Sequence, residues 1–193
     1  MPRGSYHRGQ TLLELITALF VLALVLVGAL ALTSSNFRLE GIGSSRLIAT
    51  NLAREGVELA RSIRDSNWLS GAVFDSGLIN AKHCARIIGT APRPFVDHFV
   101  FENCVDTVDP LFLLTKTTDG RYYSDPSVGD STQYYRRTRL DPICLVNGAE
   151  TILSEGSCDQ DTEIGVAVRV DVDWRYAGQT MNLSLAEHLY DWQ

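Results

Sequence analysis

Residues 15–32 read LITALFVLALVLVGALAL, a run of eighteen residues with no charged side chain and with Thr17 as its only polar side chain. A helix of that length rises about 27 Å, which is close to the thickness of the hydrocarbon core of a bilayer. Such a run is typical of a membrane span and not of the core helix of a soluble domain. We therefore expect one helix near the start of the chain to lie in a membrane.

The flanking charges predict the orientation of this helix. Arg3 and Arg8 are the only firm charges ahead of Glu14, and both are positive. Because positive flanks stay in the cytoplasm, the chain after position 32 is predicted to lie outside. The formal net charge of the whole chain is -6 at pH 7, which argues against bulk attraction to nucleic acid or to anionic lipid.

All four cysteines fall in the part of the chain that is predicted to be exported: Cys84, Cys104, Cys144 and Cys158. An even number of cysteines in an oxidising compartment favours two disulfides over free thiols. None of them has CxxC spacing or lies in a His/Cys cluster, so no metal site is predicted. The sequence does not choose among the possible pairings. We favour Cys84–Cys104 and Cys144–Cys158, which close the shortest loops and contribute about 3 kcal/mol each.

The stretch RGQTLLEL at positions 8–15 is unusual for a plain membrane anchor. The leader ahead of it is short and polar, and Gly9 has no side chain to keep a protease from the backbone. Glu14 places a carboxylate in the first turns of the hydrophobic helix. A charge at the bilayer centre costs about 2.5–3.5 kcal/mol, so a residue of this kind usually has a function or a partner.

Cleavage after Gly9 would supply that partner. It would leave a new α-amino group on Gln10, one helical turn from Glu14, and such groups titrate near pH 8. A neighbouring subunit shifted along a filament axis would then offer its own ammonium to Glu14, and the low dielectric would strengthen the attraction. On this hypothesis Glu14 sets the register of assembly.

These residues resemble the cleavage and methylation motif of type IV pilins and of the pseudopilins of type II secretion. The resemblance implies that a prepilin peptidase cuts after Gly9 and methylates the new N-terminus at Gln10, and that Glu14 guides assembly. Gln10 departs from the phenylalanine that is usual in major pilins, which favours a minor pilin or a pseudopilin. The helix also contains no proline, so a proline-induced bend is not expected.

Two other interpretations compete with this one. In the first, Glu14 snorkels to the headgroups of an ordinary signal anchor. In the second, Ala29, Leu30 and Ala31 form an A-x-A site at which signal peptidase releases a soluble domain. Either would make the protein a single-pass or secreted cell-surface binding domain or adhesin outside any filament. The glutamate at the start of the apolar run argues against the second.

The apolar run is predicted to continue as an amphipathic helix, so that one helix covers residues 12–68 with a length of about 85 Å. Its apolar face consists of residues at helical spacings: Ile48, Leu52, Leu59, Ala60 and Ile63. On the polar face, Arg54/Glu58 and Arg61/Asp65 are opposite charges four residues apart, and they are predicted to form ion pairs.

The helical period ends near Trp68, and a β-rich head is predicted after it. Short aromatic and β-branched segments bounded by Gly, Pro, Asp and Asn predict strands at 94–101, 111–116, 121–124 and 133–140. The clearest strand covers 164–176, where apolar residues alternate with charged ones, as in an antiparallel strand with one solvated face. Residues 177–179 are predicted to turn the chain into a second alternating strand that contains Met181, Leu183 and Leu185.

These patterns predict an α+β fold in which a long N-terminal transmembrane or spine helix packs against an antiparallel β-sheet head, as in pilins. The expected organisation has four parts. They are a leader at 1–9, a transmembrane or filament-core helix at 10–33, the amphipathic half of the spine helix at 34–68, and the head with its loops at 69–193.

No catalytic constellation is predicted. His83 lies beside Cys84, but adjacent side chains seldom face each other, and the cysteine is better used in a disulfide. A small acidic loop comprises Asp159, Asp161 and Glu163. It lacks the glycine and the distal glutamate of known calcium loops, so a solvated turn is favoured. The aromatic and basic side chains of 134–139 alternate between two faces of a strand, so DNA is not expected as a partner.

The sequence thus predicts a structural subunit without enzymatic activity or a cofactor, namely a minor pilin or pseudopilin of a type IV pilus or related filament. Its expected partners are a prepilin peptidase, other pilin subunits in a helical filament, and the membrane before assembly. The precursor is expected in the cytoplasmic (inner) membrane and the mature subunit in an extracellular pilus at the cell surface. Adhesion, motility, DNA uptake and secretion are all compatible with this prediction.

Overall fold

A computed structural model describes residues 10–88, 99–106, 108–127, 129–154, 156–158 and 162–191. The elements are the helix α1 (Gln10–Ser70) and the strands β1 (His83–Ile87), β2 (Phe99–Asn103), β3 (Leu113–Lys116), β4 (Tyr122–Tyr123), β5 (Asp130–Val146), β6 (Ala149–Ile152), β7 (Glu163–Tyr176) and β8 (Gln179–Tyr190). The chain divides into two compact units, Met1–Ser44 and Ser45–Gln193, and α1 contributes to both.

The helix α1 runs for 61 residues without interruption. It contains no proline, and leucine and alanine, which form helices well, make up most of residues 12–32. It ends where Gly71 takes a φ of 70°, the left-handed conformation that glycine adopts without strain. The Ala72 N–H then donates to the Asn67 carbonyl at 2.9 Å, which closes the last turn. The long helix predicted from the sequence is confirmed, with two more residues at each end.

The eight strands form one antiparallel sheet, with β5 at its centre. Because β7 pairs with β5 from Tyr134 to Cys144, the strands β3, β1 and β6 share the opposite edge of β5. β8 pairs with β7 alone. The predicted α+β class, with a long N-terminal helix and an antiparallel sheet, is therefore confirmed, and the arrangement is pilin-like.

The predicted hairpin near the C-terminus joins β7 to β8. Ala177 and Gly178 form its turn with φ values of 49° and 81°. Two successive residues with positive φ are typical of the two-residue turn whose twist matches that of an antiparallel pair. The pairing then runs from Tyr176 opposite Gln179 to Gly165 opposite Tyr190 without a register shift.

The core of the second unit lies between α1 and one face of the sheet. The helix contributes alternating small and large buried side chains: Ala49, Leu52, Ala53, Val57, Ala60 and Ile63. The sheet contributes Val166, Val168, Val170, Val172 and Trp174 of β7. The small residues on α1 allow close approach, since a Cβ built on Gly56 would lie 2.9 Å from Cγ2 of Val170.

Some predicted strand boundaries differ from the structure. Leu111 and Phe112 belong to a short 3-10 helix, Pro110–Phe112, because the Asp109 side chain accepts the Leu111 N–H at 2.9 Å and starts a turn. β5 extends beyond the predicted 133–140 at both ends, and neither β1 nor β6 was predicted. Of the predicted strand at 94–101, only residues 99–101 are described, and they begin β2.

The two predicted ion pairs on α1 are not the ones that form. Arg61 binds Glu58 at 2.7 Å, three residues before it, and also pairs with Glu187 of β8. Asp65 binds the adjacent Arg64 at 2.9 Å. Residues four apart are neighbours on an isolated helix, and the prediction used only that spacing. In the folded chain, β8 places the carboxylate of Glu187 beside Arg61, and the local sequence does not show this contact.

Candidate functional site

Two of the three predicted processing and assembly residues, Gln10 and Glu14, lie at the start of α1. Gly9 falls outside the described residues, and Gln10 is the first residue of the helix. Glu14 lies in the second turn with its side chain exposed. Within the described part of the chain, no side chain forms an ion pair or hydrogen bond with the Glu14 carboxylate. Among these residues, Glu14 is therefore a carboxylate without a partner on an otherwise apolar stretch of α1.

The helix around Glu14 exposes a large apolar surface. Between Leu12 and Leu32 every large aliphatic or aromatic side chain is more than half exposed, from 54% at Leu26 to 69% at Leu32. Soluble monomers rarely expose contiguous apolar area on this scale. Among the described residues, nothing buries this surface, and it is suited to contact with lipid.

One face of this segment combines the carboxylate with a shallow apolar groove. Its lining residues recur at three- and four-residue spacings: Glu14, Thr17, Ala18, Val21, Leu22 and Val25. The Thr17 hydroxyl donates to the Glu14 carbonyl at 2.9 Å, so it is satisfied within the helix. A second helix that carried a cation could pack along this groove and meet the carboxylate at its end.

By length and composition, the described residues include one helix that could cross a membrane, and it lies near the N-terminus. Its most apolar stretch is not buried by the other described residues. Signal sequences share this length and composition. The helix and its exposed surface fit a membrane-anchored precursor.

Two disulfides lie in the second unit. Cys84 of β1 is bonded to Cys104 after β2, with 5.1 Å between their Cα atoms. Cys144 of β5 is bonded to Cys158, with 5.7 Å between their Cα atoms. These are the two pairs that close the shortest loops. The first ties the ends of β1 and β2, and the second ties β5 to the connection between β6 and β7.

His83 faces Asp141 and not the sulfur of Cys84. Its Nδ1 lies 3.0 Å from Oδ1 of Asp141, and both residues are buried. The other carboxylate oxygen of Asp141 accepts from Nε of Arg139 at 2.7 Å. This cluster joins β1 to β5 across the face of the sheet opposite α1, and Cys84 is already bonded to Cys104. It serves as a structural link in the head.

The aromatic and basic residues of β5 separate onto two faces, as the sequence alternation indicated. Tyr134 and Arg136 turn toward α1 and are buried. Arg136 is wholly enclosed and pairs with Glu55 of the helix at 2.6 Å. The alternation predicted two faces but not this partner, because Glu55 lies 81 residues away in the chain.

On the opposite face, Arg137 and Arg169 both bind the buried carboxylate of Asp171, each at 3.0 Å. Burial by itself would raise the pKa of Asp171. Hydrogen bonds from Ser184, Arg137 and Arg169 outweigh that burial and hold the pKa below its ordinary value. These arginines are thus engaged within the sheet.

The acidic loop of the sequence is described only at Glu163, since Asp159 and Asp161 fall outside the described residues. Glu163 lines a pocket with Asp75 and Asp191. The pKa of Glu163 is raised to about 7, chiefly by burial and to a smaller extent by the negative charge of Asp75. Among the described residues, no group of three or more His, Cys, Asp or Glu side chains is arranged to hold a metal ion.

The N-terminal segment of the chain matches a known family. Residues 4–30 match the model of the prokaryotic N-terminal methylation motif, the prepilin signature of type IV pilins. No curated protein and no solved structure matches the chain significantly. The chain therefore carries the type IV pilin processing signature, and this points to a structural protein.

Proposed function

We propose that this protein is a structural subunit, a minor pilin or a pseudopilin, of a type IV pilus or a related filament. The observation that carries the proposal is the methylation motif at the start of a helix whose apolar side chains are exposed. Its placement in the inner membrane before assembly and at the cell surface afterwards follows from the same feature.

The proposed processing converts a membrane anchor into an assembly element. A prepilin peptidase cuts after Gly9 and exposes the α-amino group of Gln10. Methylation replaces one hydrogen on that nitrogen and leaves the amine basic, so it remains a cation near neutral pH. The mature chain then begins with a positive charge four residues before Glu14.

The proposed assembly step pairs these two charges between subunits. A carboxylate and an ammonium attract each other more strongly in an apolar environment than in water, because the dielectric constant is lower there. Leaving either one unpaired among apolar helices is costly. A subunit that docks with Glu14 opposite the N-terminus of a neighbour is therefore favoured over one that is shifted along the filament.

The first experiment is mass spectrometry of the mature N-terminus from sheared surface filaments and from membranes. The proposal predicts a chain that begins at Gln10 and carries one added methyl group. A chain that begins at Leu32 would instead indicate a secreted domain, and an intact leader would indicate a plain signal anchor. Loss of ammonia from Gln10 would mean that the new N-terminus had cyclised and become neutral, which contradicts the charge pairing.

The second experiment replaces Glu14 with Ala and measures the amount of subunit in sheared filaments and in membranes. We expect membrane insertion to persist and incorporation into filaments to be lost, because the register-setting pair is gone. Glu40→Ala is the matched control, since Glu40 is an exposed carboxylate on the same helix outside the apolar run. Normal incorporation of Glu14→Ala would overturn the role of Glu14.

A further inference from the structure

The outer edge of β8 is long and regular. β8 contains 12 residues, and all of them pair with β7 in one unbroken register. Within the described part of the chain, no strand pairs with the other side of β8. In an antiparallel ladder alternate residues direct their N–H and C=O groups away from the partner strand. β8 therefore offers a row of main-chain donors and acceptors along one side.

In the described part of the chain, β8 lacks most of the features that protect an edge strand. Folded proteins protect such edges with proline, lysine, bulges, very short strands, inward-pointing charges or a covering helix or loop. β8 contains no proline and no lysine, and residues 179–186 carry no charge. Its one acidic residue, Glu187, is turned toward Arg61 of α1. By contrast, β4 at another end of the sheet has only two residues. An edge of this length with so little protection favours pairing with another chain.

The two faces of β8 specify what such a chain must present. On the α1 side Met181, Leu183 and Leu185 pack against the core but stay only partly buried. On the other side Thr180, Asn182, Ser184 and Ala186 are exposed and are polar or small. An added strand with apolar side chains on the first side and small or polar ones on the second would complete the burial of the core.

We propose that the outer edge of β8 binds an extended segment of a neighbouring filament subunit, which adds to the sheet as a further strand. This choice of partner rests on the proposed function. A contact between two copies of β8 through their outer edges is two-fold symmetric, whereas contacts along a helical filament join different patches of successive subunits. The segment is therefore not β8 of a second copy, and its pattern alternates apolar with polar residues.

Site-specific photo-cross-linking in the native cells tests this inference with the full chain. A photoreactive amino acid is placed at Thr180 and, separately, at Ala186, and the linked peptides are mapped by mass spectrometry. Both positions are exposed on β8. Gln133 is the control, because it is exposed on the central strand β5 and not at the edge.

The inference predicts cross-links from both edge positions to a single contiguous segment of a neighbouring subunit. The two attachment points in that segment should be about six residues apart, because paired strands advance together at about 3.3 Å per residue. The Gln133 probe should give no such link. Links to β8 of a second copy, links to scattered positions, or no links in filaments that contain the subunit would each overturn the inference.

A charge variant gives an independent test. Thr180 lies opposite Arg175 and Ala186 lies opposite Arg169 in the β7–β8 register. Thr180→Glu with Ala186→Glu therefore places carboxylates beside existing arginines, so the head should keep its fold. We expect the cross-link from a probe at Asn182 to be lost in this variant, because charged side chains on an edge strand oppose the addition of another strand. An unchanged cross-link would contradict strand addition.

The two proposals fail in distinguishable ways. If the chain is absent from sheared filaments and keeps its leader, the proposed function fails, and the choice of partner at β8 fails with it. If the processed chain is present in filaments and the edge probes stay unlinked, the proposed function stands and only the inference about β8 is wrong.

Discussion

Glu163 shows how the folded head alters the chemistry of a single side chain. One of its carboxylate oxygens is buried without a hydrogen-bond partner. The acidic groups that face the same pocket are Asp75, in the loop after α1, and Asp191, after β8. With burial and a neighbouring negative charge both opposing ionisation, the pKa of Glu163 rises from about 4.5 to about 7.

This shift predicts a pH dependence of stability. Because the folded state holds the proton of Glu163 more tightly than the unfolded state does, the contribution of this group is fully present below pH 4.5 and is lost as the pH rises through about 7. We expect Glu163→Gln to be more stable than the wild type at pH 8 and to lose this part of the pH dependence. Denaturant unfolding at a series of pH values measures the difference.

Two further variants control this prediction. Asp75→Asn removes the second cause of the shift and should move the midpoint of the pH dependence to a lower pH. Glu40→Gln removes an exposed carboxylate of α1 that lies outside the pocket, and it should leave the wild-type profile unchanged. Glu163→Gln with the same slope between pH 5 and pH 8 as the wild type would show that the pocket does not hold the proton.

The contrast between Glu14 and Glu163 shows which residues a sequence can identify. Glu14 is conspicuous because its signal is local, a carboxylate at the edge of a long apolar run. Glu163 gave no such signal, and it had been assigned to a solvated acidic turn. Its environment comes from Asp75 and Asp191, which the fold brings close from distant positions in the chain. Residues defined by tertiary contacts of this kind are missed by local reasoning.

At the scale of elements, the contact of α1 with β7 depends on small residues. A Cβ at position 56 would lie 2.9 Å from Cγ2 and 3.2 Å from Cγ1 of Val170, and 3.4 Å from the Thr138 hydroxyl. Valine is branched at Cβ and cannot turn away easily. The helix can rest this closely on the sheet only because position 56 has no side chain.

Gly56→Ala is therefore expected to destabilise the head by about 1–3 kcal/mol, the usual effect of overpacking, despite the better helix propensity of alanine. Gly43→Ala is the matched control on the same helix, because a Cβ there meets nothing within 4 Å. The control should leave stability unchanged or slightly higher. Thermal unfolding of both variants measures the change in stability. Equal melting temperatures would show that the contact between α1 and β7 accommodates the added methyl group without cost.

The elements also differ in how well the sequence predicted them. α1, β7 and β8 have patterns that repeat within their own residues, so their type and approximate bounds followed from the sequence. β1 and β6 are only five and four residues long, and they are defined by pairing with β5. β5 itself is longer than predicted because it has partners on both edges over much of its length.

At the scale of the whole molecule, two covalent links reinforce a head of moderate size. Their partners are separated by 20 and 14 residues in the chain. Cross-links over loops of this length restrict the unfolded chain and add about 3 kcal/mol each in the chain-entropy model. Their similar loop lengths imply similar contributions.

Replacing both cysteines of either pair with serine should therefore lower the melting temperature by about 6–12 °C for a domain of this size. The free energy of unfolding, measured by denaturant titration of the full chain in detergent, should fall by about 3 kcal/mol. Reduction of the wild type breaks both disulfides and is the control. It should lower stability more than the loss of one disulfide does in either oxidised variant. A melting temperature unchanged by both replacements would contradict a stabilising role.

The position of the Cys144–Cys158 bond bears on when the head can fold. Cys144 is the last residue of β5 that pairs with β7, and its partner there is Glu163. Glu163 lies only five positions after Cys158, to which Cys144 is bonded. Once the bond has formed, only a short tether separates β5 from the start of β7, and the entropy lost in joining these two strands is reduced. In a reducing cytoplasm that advantage is missing, and the non-local β5–β7 pairing is intrinsically slow. If the head is exported as the proposed function requires, an oxidising compartment would therefore speed the pairing of β5 with β7, and the reducing cytoplasm would delay it.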